Sequence, residues 1–436
     1  MRLRFNTRAA ASPDPKRLSP FARHRILLYL GILIVLLAFG APSGGLIDIP
    51  VSFLLKNKLK LEAHEVAVFR VVAAIPLYLS FVFGFVRDTW NPLRMGDRGF
   101  MLLFGSASAL LYVVFAFIPI GYSTLLLALL LMTTAFLFVA SAQNGLTALI
   151  GQKHAMTGQI SAAWNIFLSI PTVAGLLAGG ALSDLLEGQA ADSAVRALFL
   201  TGAAIMGAVA LYSLWRPREV FHDLRREHVP DQPPVETLKM LARHWPIYPA
   251  LLIWALWNFA PGSTTPLQYH LQNTLHASDA QWGQFNAIFA ASFIPTFIAY
   301  GVLCRRVALK VSLLWGTVLA IPQMVPLVLI HSIAGALIAA VPIGLMGGLA
   351  TGAYLDLIMR SSPRGLQGTT LMLANSLYFA VTRFGDVLGT HLYDYFGGFG
   401  VCAIAITVVY ALILPALLLV PAHLVAAADE QTSVQR

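Results

Sequence analysis

Charge is scarce in this sequence. Only 11% of its 436 residues are Asp, Glu, Lys or Arg, 58% are hydrophobic, and the mean hydropathy is +0.73. A soluble chain carries about 25% charged residues, so a soluble globular fold is excluded. Cysteine is nearly absent too. Cys304 and Cys402 both fall in or beside apolar runs, which argues for buried small side chains and against a disulfide framework. No Gly-x-x-x-x-Gly-Lys-Ser/Thr loop is present, so the chain has no P-loop of its own for hydrolysing ATP. No His-Glu-x-x-His or paired-cysteine site is present either, and neither a metal, a cofactor nor a catalytic residue is expected.

What fills the sequence is apolar runs. A bilayer core needs about 20 mostly apolar residues per helical crossing. Twelve such stretches follow one another, at roughly 26–56, 63–86, 100–121, 123–150, 157–186, 193–214, 246–273, 279–303, 308–330, 333–359, 366–396 and 399–421. The first follows a basic tail but is far longer than the core of a signal peptide and lacks a small-residue cleavage site, so it is expected to be a retained helix. The net charge of +9 reports orientation. Of the 29 Lys and Arg residues, 23 lie in the tails and joints of one side and four (Lys56, Lys58, Lys60, Arg196) on the other, with Arg70 and Arg383 inside helices. By the positive-inside rule both termini are cytoplasmic, in an inner or plasma membrane; the bilayer, and no nucleic acid, accounts for the basicity.

The longest joint, 215–244, has the composition of a solvated linker, with Arg216-Pro217-Arg218-Glu219 and later Asp231-Gln232-Pro233-Pro234. It divides the chain into a basic tail (1–25), a six-helix bundle (26–214), a second bundle (245–421) and a C-terminal tail (422–436). An internal repeat supports the division. At an offset of 210 residues, Gly158, Asn165, Thr172, Gly175, Gly179, Leu182, Asp184 and Gly188 meet Gly368, Asn375, Thr382, Gly385, Gly389, Leu392, Asp394 and Gly398, eight identities in 31 ungapped positions, where roughly two are expected by chance. Ala41-Pro42 recurs as Ala260-Pro261, and Pro76 as Pro295. The halves read as parallel repeats about an axis along the membrane normal.

Six plus six helices in that relation, with Gly84-Phe85-Val86-Arg87-Asp88, Arg94 and Arg98 in the joint between helices 2 and 3, resemble the major facilitator superfamily. The resemblance implies an all-α membrane fold of twelve transmembrane helices in two pseudo-symmetric bundles. It implies a cytoplasmic gate at Gly84, Asp88, Arg94 and Arg98, with Asp88 as gate carboxylate. The second-half counterpart, Gly301 to Arg305-Arg306, has no Asp. Pro42 and Phe83-Gly84-Phe85 before Arg87-Asp88-Thr89 are similar to the folate–biopterin transporter and muropeptide permease branches, whose acidic residue in helix 4 is replaced here by Gln143 and Asn144.

Ionisable groups inside lipid-spanning segments are costly and default to functional roles. Asp48 and Arg70 lie at matching depths on the arms of the first hairpin, and Arg383 and Asp386, three apart, share a face of helix 11. These four either form one charged cluster in the outer half, binding an anionic or zwitterionic solute or closing a gate, or make two private ion pairs within the separate halves. Asp356, four before Arg360, reads as a helix-end ion pair. His270 is a candidate for proton coupling or simply a hydrogen-bonding group beside Gln268 and Tyr269. Asn165 and Asn375 read as a symmetric interhelical bond or a ligand contact. By fold analogy Ser43, Asp48, Gln143, Asn144, Asn258, Thr264, Thr265, Gln268, His270 and Asp356 line a cavity, with Trp254 and Trp257 available to stack on a ring. The expected function is a monomeric secondary transporter of a small polar solute with a coupling proton or cation. A non-transporting assembly or lipid- or cofactor-delivery protein and a membrane enzyme are the competing classes. Reporter fusions at the two termini should both register on the cytoplasmic side; a split result refutes an even number of crossings.

Overall fold

A computed structural model describes residues 18–44, 47, 50–51, 54–55, 59–61, 63–119, 121–188, 191–221 and 234–429, with backbone alone at 63–64, 67, 176–188, 191–195, 234 and 279. Within lipid every backbone N–H and C=O has to be satisfied inside its own segment, which is why apolar runs of this length become helices. Among the described residues there is no strand.

Twelve helical segments follow the expected apolar runs. In the first half they are α1 (Pro20–Gly40), α2 (Ala63–Ala73, Ile75–Tyr78 and Ser80–Thr89), α3 (Asp97–Ala116), α4 (Tyr122–Lys153), α5 (Thr157–Gly188) and α6 (Ala191–Tyr212). In the second they are α7 (Ile247–Asn258, then Thr265–Tyr269 and a π turn at His270–Thr274), α8 (Asp279–Leu303), α9 (Leu309–Ala320 and Val325–Val328), α10 (Ile333–Ser361), α11 (Gln367–Tyr395) and α12 (Phe399–Ala411 and Ile413–Leu417). Among the described residues seven helices, in α1, α3, α4, α8, α9, α10 and α12, are individually long and apolar enough to cross a bilayer. Segments α2 and α7 are broken into shorter pieces, and α11 carries Arg383, Asp386 and Asp394.

The breaks have identifiable causes. Proline lacks the N–H that a helix interior needs. α1 ends at Gly40, immediately before Ala41-Pro42, and the first piece of α7 ends at Asn258, just before Ala260-Pro261, so the repeated dipeptide interrupts both copies. Pro76 sits in the short middle piece of α2, whereas α8 runs through Pro295 without interruption.

Close packing in lipid relies on small residues. Gly344, Gly348 and Gly352 form a four-residue-spaced stripe on α10 against Ser292, Thr296 and Tyr300 at the same spacing on α8. A Cβ on Gly344 would lie 2.6 Å from Ser292 Cβ and 2.7 Å from the Phe289 carbonyl, and one on Gly352 would lie 2.8 Å from the Tyr300 ring. Gly389, in the repeated glycine pair of α11, packs on the backbone of Pro261 and Gly262 in α7.

The start of the joint between bundles folds back on the first bundle. Helix Arg218–Phe221 brings Glu219 to within 2.6 Å of Arg25 and sets Phe221 edge-on to Tyr29. The described end of the joint is the helix Pro234–Arg243. The C-terminal segment is docked too: a short helix, Ala422–Val425, leads to Ala428 and Asp429, each 1% exposed.

The α8–α10 stripe gives a matched pair of substitutions. Gly207 on α6 has nothing within 4 Å of an added Cβ, so Gly207→Ala should leave stability unchanged or raise it by up to about 1 kcal/mol through helix propensity. The same change at Gly344 should cost about 1–3 kcal/mol by overpacking. Thermal unfolding of the purified protein compares the two.

Candidate functional site

At the end of the molecule that carries the docked C-terminal segment, the bundles are tied together by carboxylates. The first turn of a helix leaves backbone N–H groups without partners. Leu366, which precedes α11, offers no side-chain cap. The missing acceptor comes from the other bundle. Asp88, at the end of α2, accepts from Gly368 N at 3.3 Å, Thr369 N at 2.6 Å and Thr369 Oγ1 at 2.7 Å. Arg87 completes the arrangement, donating to Asp88 at 2.6 Å and to Asp97 of α3 at 2.7 Å, all three side chains being buried. The approach depends on Gly84, where a Cβ would lie 2.6 Å from the Gly368 carbonyl.

A second tie repeats the geometry in the other direction. The amides at the start of α5, Gly158 and Gln159, stand at the repeat positions of Gly368 and Thr369. They donate at 3.3 and 2.9 Å to Asp429 of the C-terminal segment. Arg360 of α10 bridges Asp429 (2.9 Å) and Asp356 (2.9 Å), donates to Thr157 Oγ1, and holds the carbonyls of Leu424 and Ala427. Tyr300 of α8 donates to Asp356 at 2.8 Å. Burial, followed by the neighbouring Asp356, pushes the Asp429 carboxyl up to about 7, against the pull of Arg360 and the two α5 amides. Asp356 therefore forms the expected i,i+4 pair with Arg360, but within this buried cluster.

Further cross-bundle bonds lie on the same side. Gln152 at the end of α4 donates to Met359 O (2.7 Å) and Ser362 O (2.8 Å) and accepts from Gln367. Ser161 donates to Gly352 O, Asn375 to Ser80 Oγ, and Phe81 N to Ser376 Oγ. The repeat-related asparagines do not behave alike: Asn165 donates to Ser161 O in its own helix.

The opposite end is different. Met372, Ser376 and Arg383 recur at helical spacing on one face of α11. Met372 is fully buried and Ser376 6% exposed, both in contact with the first bundle, whereas Arg383 is exposed and Val387, four residues on, is 72% exposed. A face that is buried against the other bundle at one end and open at the other means that the two bundles diverge. Arg383 lies eight residues beyond Asn375 on α11, and Arg70 ten before Ser80 on antiparallel α2, so both stand about 12–15 Å outward of the Ser80–Asn375 bond. Arg70 is exposed as well. Among the described residues Arg383 makes no ion pair, and Asp386 is engaged elsewhere. It accepts from Thr264 Oγ1, from Thr265 N at 3.0 Å and from Thr265 Oγ1 at 2.9 Å, where α7 restarts after its break.

The remaining candidates disperse. Asp48 lies outside the described residues. Asn144 donates to Met372 Sδ across the bundles, and Gln143 is buried and bonded to Thr147. Asn258 donates to Trp254 O in its own helix, and Gln268 is half-buried. His270 stacks on Phe399 of α12 with 4.7 Å between ring centres. Trp254 donates to Ala374 O, and Trp257 stacks on Tyr410, so both pack within the second bundle. Of the four expected gate residues, Gly84 and Asp88 meet α11. Arg98 instead donates to the last carbonyls behind α6, Ser213 and Leu214, and Arg94 is exposed. Sequence reasoning missed Asp97, Gln152 and Asp429. The only signal for Asp429 was indirect: the repeat gives α5 the same uncapped start as α11.

Comparison with known proteins follows the architecture. No curated protein matches the chain. Among solved structures, the human organic anion transporter MFSD10 (TETRAN) superposes with a TM-score of 0.62 at 17% identity, covering 92% of this chain and 100% of that one. The transporter FucP, in its outward conformation, superposes with a TM-score of 0.68 at 14% identity, covering 92% and 99%. The Major Facilitator Superfamily model matches residues 155–385, more than half of the sequence. On that match, which runs from α5 through most of α11, the chain belongs to the major facilitator superfamily.

Proposed function

We propose that this protein is a secondary transporter that carries a small anionic or zwitterionic solute by alternating access, driven by a proton or cation gradient and working as a monomer. In this reading the bundles are 26–214 and 245–421, the termini and the 215–244 linker are cytoplasmic, and the structure is open to the outside. The carrying observation is Arg383: an exposed guanidinium on the bundle-facing stripe of α11, unpaired among the described residues and level with Arg70 on α2. An arginine at the helix centre costs about 2.5–3.5 kcal/mol on insertion, so it belongs in a wet path and not against lipid. The neighbouring carboxylate makes no ion pair with it: Asp386 keeps its charge, but its oxygens are taken by Thr264 and Thr265. Two cations from opposite bundles at one depth suit a carboxylate or phosphate group, which guanidinium binds by paired hydrogen bonds.

The neighbours are in keeping with this reading, one being described as an organic anion transporter and the other as captured in an outward conformation. The solute class is drawn from the arginines and not from the folate–biopterin or muropeptide branches, since Gln143 and Asn144 are spent on Thr147 and Met372.

Uptake of a panel of organic anions and zwitterions into proteoliposomes, with and without a pH gradient, tests the proposal. Arg70→Gln and Arg383→Gln should each lower uptake at least tenfold, about 1.4 kcal/mol, while the protein still inserts and purifies. Normal uptake by both variants refutes the assignment of the arginines. Absence of any flux, with stable co-purification of a partner protein, favours a non-transporting assembly role.

A further inference from the structure

The joint between α8 and α9 has no carboxylate to match Asp88, yet the face it borders is also bonded across the bundles. We propose that Asp429 is a positioning residue of the transport cycle: it supplies, from the C-terminal segment, the carboxylate that closes the second latch between the bundles. The inference rests on the alternating-access reading above.

Four observations carry it. Asp429 contacts both bundles, accepting the α5 amides of Gly158 and Gln159 from the first and pairing with Arg360 of the second. Those amides are the repeat equivalents of the ones Asp88 accepts on α11, so the two carboxylates perform one task at two related helix starts. The residue is 1% exposed, unlike a solvated tail. The segment is also held along its length: Arg360 Nη1 donates to Leu424 O and Ala427 O, and Asp429 N donates to Cys304 O.

The division of these bonds determines what moves. All the bonds named here that secure the segment itself go to α8 and α10 of the second bundle. Those named here that reach the first bundle go to the two α5 amides. The C-terminal segment therefore travels with the second bundle, and opening this face breaks the Asp429–α5 contact and the Arg360–Thr157 bond beside it. The crossing is close-packed: a Cβ on Gly158 would lie 2.7 Å from Cys304 Cβ and 3.1 Å from the Asp429 carboxylate.

The test reads the opening of the face away from Asp429 itself, so that local uncovering cannot mimic it. Met372 of α11 is fully buried against the first bundle, and its Sδ accepts from Asn144 Nδ2. With Cys304→Ala and Cys402→Ala removing both native thiols without adding a donor beside Asp429, Met372→Cys leaves one reporter in the full-length purified protein, whose maleimide labelling rate measures separation of the bundles. Asp429→Ala should raise that rate roughly tenfold, the scale of losing a charged hydrogen-bond acceptor, and Asp429→Glu should restore it. A chain ending at Ala428 should behave as Asp429→Ala does, guarding against an effect of the alanine alone. Asp88→Asn, which weakens the first latch, is the control. If Asp88→Asn raises labelling and neither Asp429→Ala nor the shortened chain does, the inference is overturned and the transport reading stands. If none of the three raises it, alternating access falls as well.

Discussion

A helix that starts inside a membrane protein presents amides that neither lipid nor its own first turn satisfies, and here the acceptors are carboxylates from other segments. Asp88 caps α11, Asp429 caps α5, and Asp386 caps the restart of α7 at Thr265. The macrodipole adds to each contact, because it favours negative charge at a helix N-terminus. The first two contacts join the bundles, so satisfying backbone chemistry and closing one face are the same event. In the proposed transport cycle that event has to be reversible. A charge-assisted hydrogen bond contributes about 1.5–3 kcal/mol net, and shifting a two-state equilibrium from 1:99 to 99:1 takes about 5.5 kcal/mol. Two such caps are thus of the right size to hold a closed face without freezing it.

Removing one partner from a buried charge pair is far more costly than forming the pair is beneficial. This explains why each cap comes with a guanidinium. Arg87 stands between Asp88 and Asp97, and Arg360 between Asp356 and Asp429. In each cluster two carboxylates share one cation, and the helix-start amides carry part of the excess negative charge. The first cluster is built from neighbouring residues of α2 and α3. The second is assembled from α8, α10 and a C-terminal segment more than 60 positions from Arg360, and the two halves therefore close by the same chemistry with different parts.

That difference marks what could be read in the sequence. The twelve runs, the repeat of α5 in α11 and the paired Ala-Pro breaks were legible because they are periodic or local: hydropathy sums over a window, and a proline acts on its own turn. Gly84 and Asp88 were legible through the motif around them. Asp429 was not, because it lies 271 positions from Gly158, and no spacing rule spans that distance. The position of His270 was hidden for a related reason. Once α7 breaks and restarts through a π turn, its phase no longer follows from counting, and the ring comes to rest on Phe399 of α12.

The same break decides which partners Asp386 takes. Residues three apart share a helix face, and from sequence Arg383 and Asp386 could neutralise each other. Unwinding of α7 at Ala260-Pro261 brings Thr264 and Thr265 against α11, and the small residues Gly385 and Gly389 admit the unwound backbone there. Irregular backbone at membrane depth is tolerated where it is buried in protein or lines a cavity, and Asp386 is what satisfies its first free amide. With its carboxylate committed to that task, Arg383 is left facing the first bundle. Backbone repair in the neighbouring helix thus decides the partners of both groups: Asp386 keeps its charge but turns its oxygens to Thr264 and Thr265, and Arg383 has no ion pair among the described residues.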